Sequence, residues 1–189
     1  MLEIDVRKYR GQIYVIHDEV VPPSDTESLS EFLRRHNGER IQIDVKIDSM
    51  SSLTAVDAQI LYGILVEEDA VDKVIVTSKD LSFLRELREI DENIKLGYDP
   101  SPEPYPENEA EVYAFADYLE KIVGELGLSF ISLSERIAFL FIQTGIAENF
   151  VRNMERRGCI VSVWTVNKRE NIRKLTSYGF WVTTDLDTL

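Results

Sequence analysis

Residues 74–90 read Val-Ile-Val-Thr-Ser-Lys-Asp-Leu-Ser-Phe-Leu-Arg-Glu-Leu-Arg-Glu-Ile. The first four are apolar or β-branched with no polar alternation, as expected of a parallel strand covered on both faces. After Ser78 the period changes. Leu81, Leu84, Leu87 and Ile90 recur every third residue and form one face of a helix, with Asp80 placed to cap its N-terminus. A short buried strand passing directly into an amphipathic helix is the repeating unit of parallel α/β folds.

The same unit recurs on both sides of this stretch. Strands are predicted at residues 2–6, 13–17, 41–47, 94–98, 130–133, 160–166 and 181–184. Helical faces are predicted from Leu29, Phe32 and Leu33, and from Val56, Ile60, Ile64 and Leu65. Others come from Val112, Phe115, Leu119, Ile122 and Leu126, from Ile146, Phe150 and Met154, and from Ile172 with Leu175. Ser28 with Glu31, and Asn167 with Glu170, have capping-box spacing, while Gly38, Gly158 and Gly179 stand where helices end. The rhythm predicts one α/β domain over residues 1–189, either a parallel barrel or a doubly wound sheet. It breaks twice. Residues 6–12 are too few for a crossover helix, so the first two strands are predicted to form a hairpin through Arg10-Gly11. Residues 98–108 hold four of the six prolines and read as an exposed loop.

Acidic residues outnumber basic ones 34 to 21, a net charge of -13 that disfavours nucleic acid and anionic membrane as partners. A phosphorylated small molecule would need a metal or a local positive charge to bind. No apolar run approaches the ~18 residues of a membrane span, no signal-peptide pattern opens the chain, and the lone Cys159 has no disulfide partner within it. A cytoplasmic location without membrane insertion is expected.

Four short patterns carry chemistry. In Glu3-Ile-Asp5 the period of two sends both carboxylates to one side of a strand. Paired acids at a strand end repel each other unless a cation joins them, and hard oxygen donors suit Mg²⁺ or Ca²⁺. A solvated edge strand is the plainer alternative. Asp44-Val45-Lys46 repeats the geometry with an acid and a base, which taken alone reads first as a structural ion pair. His17, followed by Asp18, ends an apolar strand at the rim where parallel α/β folds carry their sites, and its pKa range suits proton transfer. Trp164 closes the strand before Thr165-Val166-Asn167; it belongs to a core or forms a flat wall for a ligand. Thr184-Asp185 ends the last strand, and His36 reads as an ordinary surface residue.

Taken in order, these pieces resemble the glycerophosphodiester phosphodiesterase family. Leu2-Glu3-Ile4-Asp5-Val6, Gly11 and Val15-Ile16-His17-Asp18 are similar to the stretch that supplies two metal carboxylates and a catalytic histidine there. Ile43-Asp44-Val45-Lys46 resembles the family's acid-x-lysine motif, although its usual acid is glutamate. Val76-Thr77-Ser78, Val163-Trp164-Thr165-Val166-Asn167 and Thr183-Thr184-Asp185 fit later strands in register. The resemblance implies a TIM-type (β/α) barrel that hydrolyses glycerophosphodiesters to an alcohol and glycerol phosphate. Glu3, Asp5 and Asp44 would hold a divalent cation, Mg²⁺ or Ca²⁺. Lys46 would charge a phosphate oxygen, His17 would move a proton, and Trp164 would line the substrate.

The family's opening His-Arg-Gly strand, with its Pro-Glu-Asn turn and helix, has no counterpart before Leu2. The barrel is therefore expected to be incomplete at its N-terminus, with a homodimer as one way to cover the exposed edge. Loss of that histidine implies weakened turnover. The alternative is a non-catalytic relative that binds a phosphorylated ligand or a partner protein through the same rim.

Overall fold

The computed structural model describes residues 1–17, 25–46, 54–100 and 104–186. The chain divides into two compact units, Met1–Tyr98 and Asp99–Leu189.

The first unit opens with strand β1 (Leu2–Tyr9), which turns at Arg10 and Gly11 into β2 (Gln12–Val15). Both turn residues have positive φ, 49° and 82°, so a two-residue hairpin forms as predicted. Helix α1 (Leu29–Arg35) follows, capped by the expected reciprocal pair of Ser28 and Glu31. Then come β3 (Ile41–Val45), α2 (Ala55–Glu67), a short 3₁₀ turn, β4 (Val74–Ser78), α3 (Leu81–Ile90) and β5 (Leu96–Tyr98). The strands lie in the order β2-β1-β3-β4-β5, parallel except for the hairpin. Capping residues open the helices, Thr54 for α2 and Asp80 for α3. Val6, Ile43 and Val76 on one face of this sheet, and Leu61, Leu65, Leu84 and Leu87 on the helices, are fully buried. Each such side chain contributes about 2 kcal/mol of burial.

The face of α2 differs from the sequence reading. Val56 is exposed, and the buried positions are Asp57, Ala58, Leu61 and Leu65. The reason is Lys8, which leaves β1 on the same side as Val6 and forms an ion pair with Asp57. Asp57 also accepts from the backbone N–H and hydroxyl of Thr54, closing that helix's capping box. Burial alone would raise the Asp57 carboxyl; the bonds from Lys8 and Thr54 outweigh it and hold it below the usual carboxylate range. A depressed folded-state pKa stabilises above the unfolded value of about 3.9, and that stability is lost as pH falls through the folded one. Asp57→Asn is expected to lower stability by about 1–3 kcal/mol at pH 7. In urea melts, the gap to wild type should shrink as the pH is lowered below 4. A gap that stays constant down to pH 2 would rule out this account.

The second unit contains α4 (Glu109–Leu126), β6 (Phe130–Ser134), α5 (Glu135–Gln143), α6 (Ala147–Arg156), β7 (Ile160–Trp164), α7 (Arg169–Ser177) and β8 (Trp181–Val182). Strands β6, β7 and β8 are neighbours in that order, all parallel. Helix α5 escaped the periodicity reading because Ile137, Ala138, Phe139, Leu140, Phe141 and Ile142 are apolar without interruption. Its start is nevertheless marked by Ser134, whose side chain accepts from the Ile137 amide. Cys159 is buried, which pushes its thiol up to about 12 and leaves it unreactive. Of the four loop prolines, Pro104 is exposed, Pro100 and Pro106 are buried, and Pro102 lies outside the described residues.

Candidate metal and phosphate site

The site lies within the first unit. Strand parity separates the two faces of β1: Ile4 and Val6 are buried among apolar neighbours, and Glu3 and Asp5 leave the other side. The parallel pairing of β1 with β3 sets Asp5 directly opposite Asp44 and Glu3 opposite Gln42. That ladder extends beyond β3 through the Lys46 amide, which donates to the Val6 carbonyl at 3.0 Å. Lys46 therefore stands on the same face as Asp44, two residues on.

One oxygen from each of Glu3, Asp5 and Asp44 lies within 4.8 Å of the others. The Lys46 ammonium contacts both aspartates, at 2.7 Å from Asp5 Oδ1 and in a short hydrogen bond to Asp44 Oδ2. The ammonium is the close partner of this buried Asp5 oxygen. His17 follows β2, where the Ile16 amide donates to the Asp5 carbonyl at 3.0 Å and Arg7 Nε donates to the His17 carbonyl at 2.9 Å. Its Nε2 is 3.7 Å from Asp5 Oδ2, and its side chain is 66% exposed. Asp18, the residue after it, lies outside the described residues.

Crowding is visible in the electrostatics. Burial, then repulsion by Asp5 and Asp44, raises the Glu3 carboxyl above its ordinary value. Burial also raises Asp44, with Lys46 opposing and Asp5 reinforcing the shift. Burial would lower the Lys46 ammonium, but Asp44 and Asp5 more than compensate and its pKa is raised. Three carboxylates share one ammonium and one histidine here, so the cluster carries a deficit of positive charge.

A divalent cation fits that deficit. Ca²⁺ binds oxygen at about 2.3–2.6 Å, so two of its ligands stand up to about 5 Å apart; Mg²⁺, at about 2.1 Å, requires closer spacing. The three carboxylates are hard oxygen donors of the kind both Ca²⁺ and Mg²⁺ take. The shorter Asp44 does not take it out of the cluster.

Sequence reasoning overlooked one residue. Thr77, on β4, is paired in register with Asp44, and its hydroxyl lies 3.3 Å from Asp44 Oδ1 and 3.3 Å from the Ile43 carbonyl. Gln42 Nε2 donates to it at 3.5 Å. A threonine inside a Val-Ile-Val-Thr strand gives no sign of this, since the strand's β-branched pattern already accounts for it.

Trp164 belongs to the second unit and ends β7, where it is 37% exposed and shares a face with Ser162. Asn167 does not cap α7. Its side-chain oxygen accepts from Thr184 Oγ1 and the Asp185 amide, and its Nδ2 donates to Asp185 Oδ2 at 2.9 Å. The expected box with Glu170 is absent because Asn167 ties the end of β7 to the end of β8. His36, stacked on Phe32 at 4.3 Å and bonded to Glu39 at 2.9 Å, is structural.

The sequence profile of the glycerophosphoryl diester phosphodiesterase family matches residues 2–185. No curated protein matches the sequence. Among solved structures, a glycerophosphodiester phosphodiesterase from Parabacteroides distasonis superposes with a TM-score of 0.72 at 16% identity, over 97% of this chain and 79% of its own. An Oleispira antarctica phosphodiesterase in complex with the product sn-glycerol-3-phosphate gives 0.71 at 16% identity, over 97% and 80%. The Thermotoga maritima enzyme gives 0.60 at 21% identity, over 97% and 80%. At such identities the likeness speaks for the fold, which is the α/β, TIM-barrel type expected from the sequence.

Proposed function

The chain belongs to the glycerophosphoryl diester phosphodiesterase family, a family of phosphoric diester hydrolases, and from that premise we propose that it hydrolyses glycerophosphodiesters to an alcohol and glycerol phosphate, with a divalent cation held by Glu3, Asp5 and Asp44. The observation that carries this reading is the convergence of those three carboxylates with Lys46 on one sheet face. A bound cation would supply positive charge against the phosphodiester. Lys46 is placed to stabilise charge developing on a phosphate oxygen, a task that favours groups already in position. His17 projects from the strand end with its Nε2 near Asp5, and it gives a proton to the departing alcohol oxygen or takes one from the attacking water. Trp164 offers an apolar wall to the glycerol or head-group side of the substrate. Residues 1–189 act in this reading as one functional domain, in keeping with a family match that runs nearly end to end. A cytoplasmic role in breaking down lipid-derived diesters is part of this proposal. No helix among the described residues is long and apolar enough to cross a membrane.

The deciding assay follows glycerol phosphate release from glycerophosphocholine with added Mg²⁺, Ca²⁺ or Mn²⁺, beside His17→Ala. Turnover in the wild type, reduced about 10²-fold or more in the variant, is the expected result. Equal rates for the two proteins, at the level of the uncatalysed background, would replace hydrolysis with simple binding of a phosphorylated ligand.

A further inference from the structure

We propose that Thr77 is a positioning residue that fixes the Asp44 carboxylate for cation binding, an inference that rests on the metal site proposed above. A single aspartate on a strand can rotate about χ1 and χ2, and its two oxygens exchange roles when it does. Both rotations are restrained here. Lys46 engages Oδ2, and the Thr77 hydroxyl lies 3.3 Å from Oδ1. Thr77 can play this part because the β3–β4 register sets it directly beside Asp44 and because its side chain is almost wholly buried.

The direction of its proton follows from its neighbours. Gln42 Nε2 donates toward Thr77 Oγ1, so the hydroxyl is left to act as a donor. Its two acceptors, the Ile43 carbonyl and Asp44 Oδ1, are equally distant at 3.3 Å. An ionised carboxylate is the stronger acceptor of the two, so the bond turns toward Asp44 whenever Asp44 is charged, as a metal ligand must be. Gln42, Thr77 and Asp44 thus form a short, largely buried relay across two adjacent strands. Partners of this kind, one bond removed from the ion, orient ligands and set affinity.

The test is calorimetric titration with Ca²⁺ and Mn²⁺ of wild type, Thr77→Val, Thr77→Ser and Asp44→Ala, with melting curves of all four in EDTA. Valine keeps the branched shape and removes the hydroxyl; serine restores the hydroxyl. Thr77→Val is expected to weaken cation binding by about 10–100-fold, with Thr77→Ser within roughly threefold of wild type and a single cooperative metal-free melt for every variant. Activity of Thr77→Val should recover at saturating cation, which a general loss of structure would not allow. Wild-type affinity in Thr77→Val, or serine no better than valine, would overturn the positioning role while leaving the metal site standing. Failure of wild type to bind either cation would overturn both.

Discussion

The double variant Asp5→Ala/Asp44→Ala is expected to lose at least about 10³-fold in kcat/KM toward a glycerophosphodiester. The same variant should lose the gain in melting temperature that divalent cations give the wild type. The first figure follows from the charge problem. A phosphodiester anion approaching Glu3, Asp5 and Asp44 meets three carboxylates and the Lys46 ammonium that pairs with the two aspartates. Without a cation that encounter is repulsive. With one, stabilisation of the transition state by several kcal/mol becomes available, and about 4 kcal/mol corresponds to 10³ in rate. The second figure is independent of turnover. A cation present at about 100 times its Kd adds about 2.7 kcal/mol to folding stability. In a chain of this size that is a rise of roughly 5–10 °C. The variant keeps Glu3 alone, which offers too few oxygens. Burial, the largest cause of the raised Glu3 carboxyl, remains in the variant, and only the repulsion from its two acidic neighbours is relieved. Scanning calorimetry with and without Ca²⁺ or Mn²⁺ checks the prediction. A cation-dependent rise of the same size in both proteins would mean that the ion binds elsewhere and that the acidic cluster is not its site.

Much of this site could be read from strand parity alone. A period of two puts Glu3 with Asp5, and Asp44 with Lys46, on shared faces whatever the rest of the chain does. What parity does not give is register between strands. Asp5 stands opposite Asp44 only because β1 and β3 pair from Leu2 with Ile41 onward, a non-local choice fixed by backbone bonds such as the Leu2 amide to the Arg40 carbonyl. Had the register slipped by one residue, Asp5 would face Val45 or Ile43 and the cluster would dissolve. Thr77 was hidden for the same reason, since its importance comes from the strand beside it. Helix α2 shows the complementary failure. A reading by apolarity put Val56 inside and left Asp57 aside, yet Lys8 makes a buried aspartate tolerable there. Wherever an ion pair or a cross-strand bond decides what is buried, hydrophobic pattern gives the wrong face.

Lys46→Met is expected to tighten divalent-cation binding by roughly tenfold while lowering kcat by about 10²–10³-fold, two changes of opposite sign from one substitution. The ammonium of Lys46 bridges Asp5 and Asp44 and supplies part of the positive charge that a cation would bring. Cation and ammonium therefore compete for the same oxygens. At a few ångströms, with an effective dielectric constant of about 20, like charges repel by several kcal/mol. The four-carbon stem lets the ammonium swing away, so only a fraction of that, about 1–2 kcal/mol, opposes the ion. Methionine removes the competitor at nearly constant volume, hence the tighter binding. The price falls on the chemistry: the displaced ammonium is the group that would meet the phosphate, and a thioether cannot stabilise charge on its oxygens. Calorimetry and saturation kinetics on the same preparation separate the two effects. Weaker cation binding in the variant would show that Lys46 helps to assemble the carboxylates rather than competing for them. An unchanged kcat would remove Lys46 from the reaction altogether.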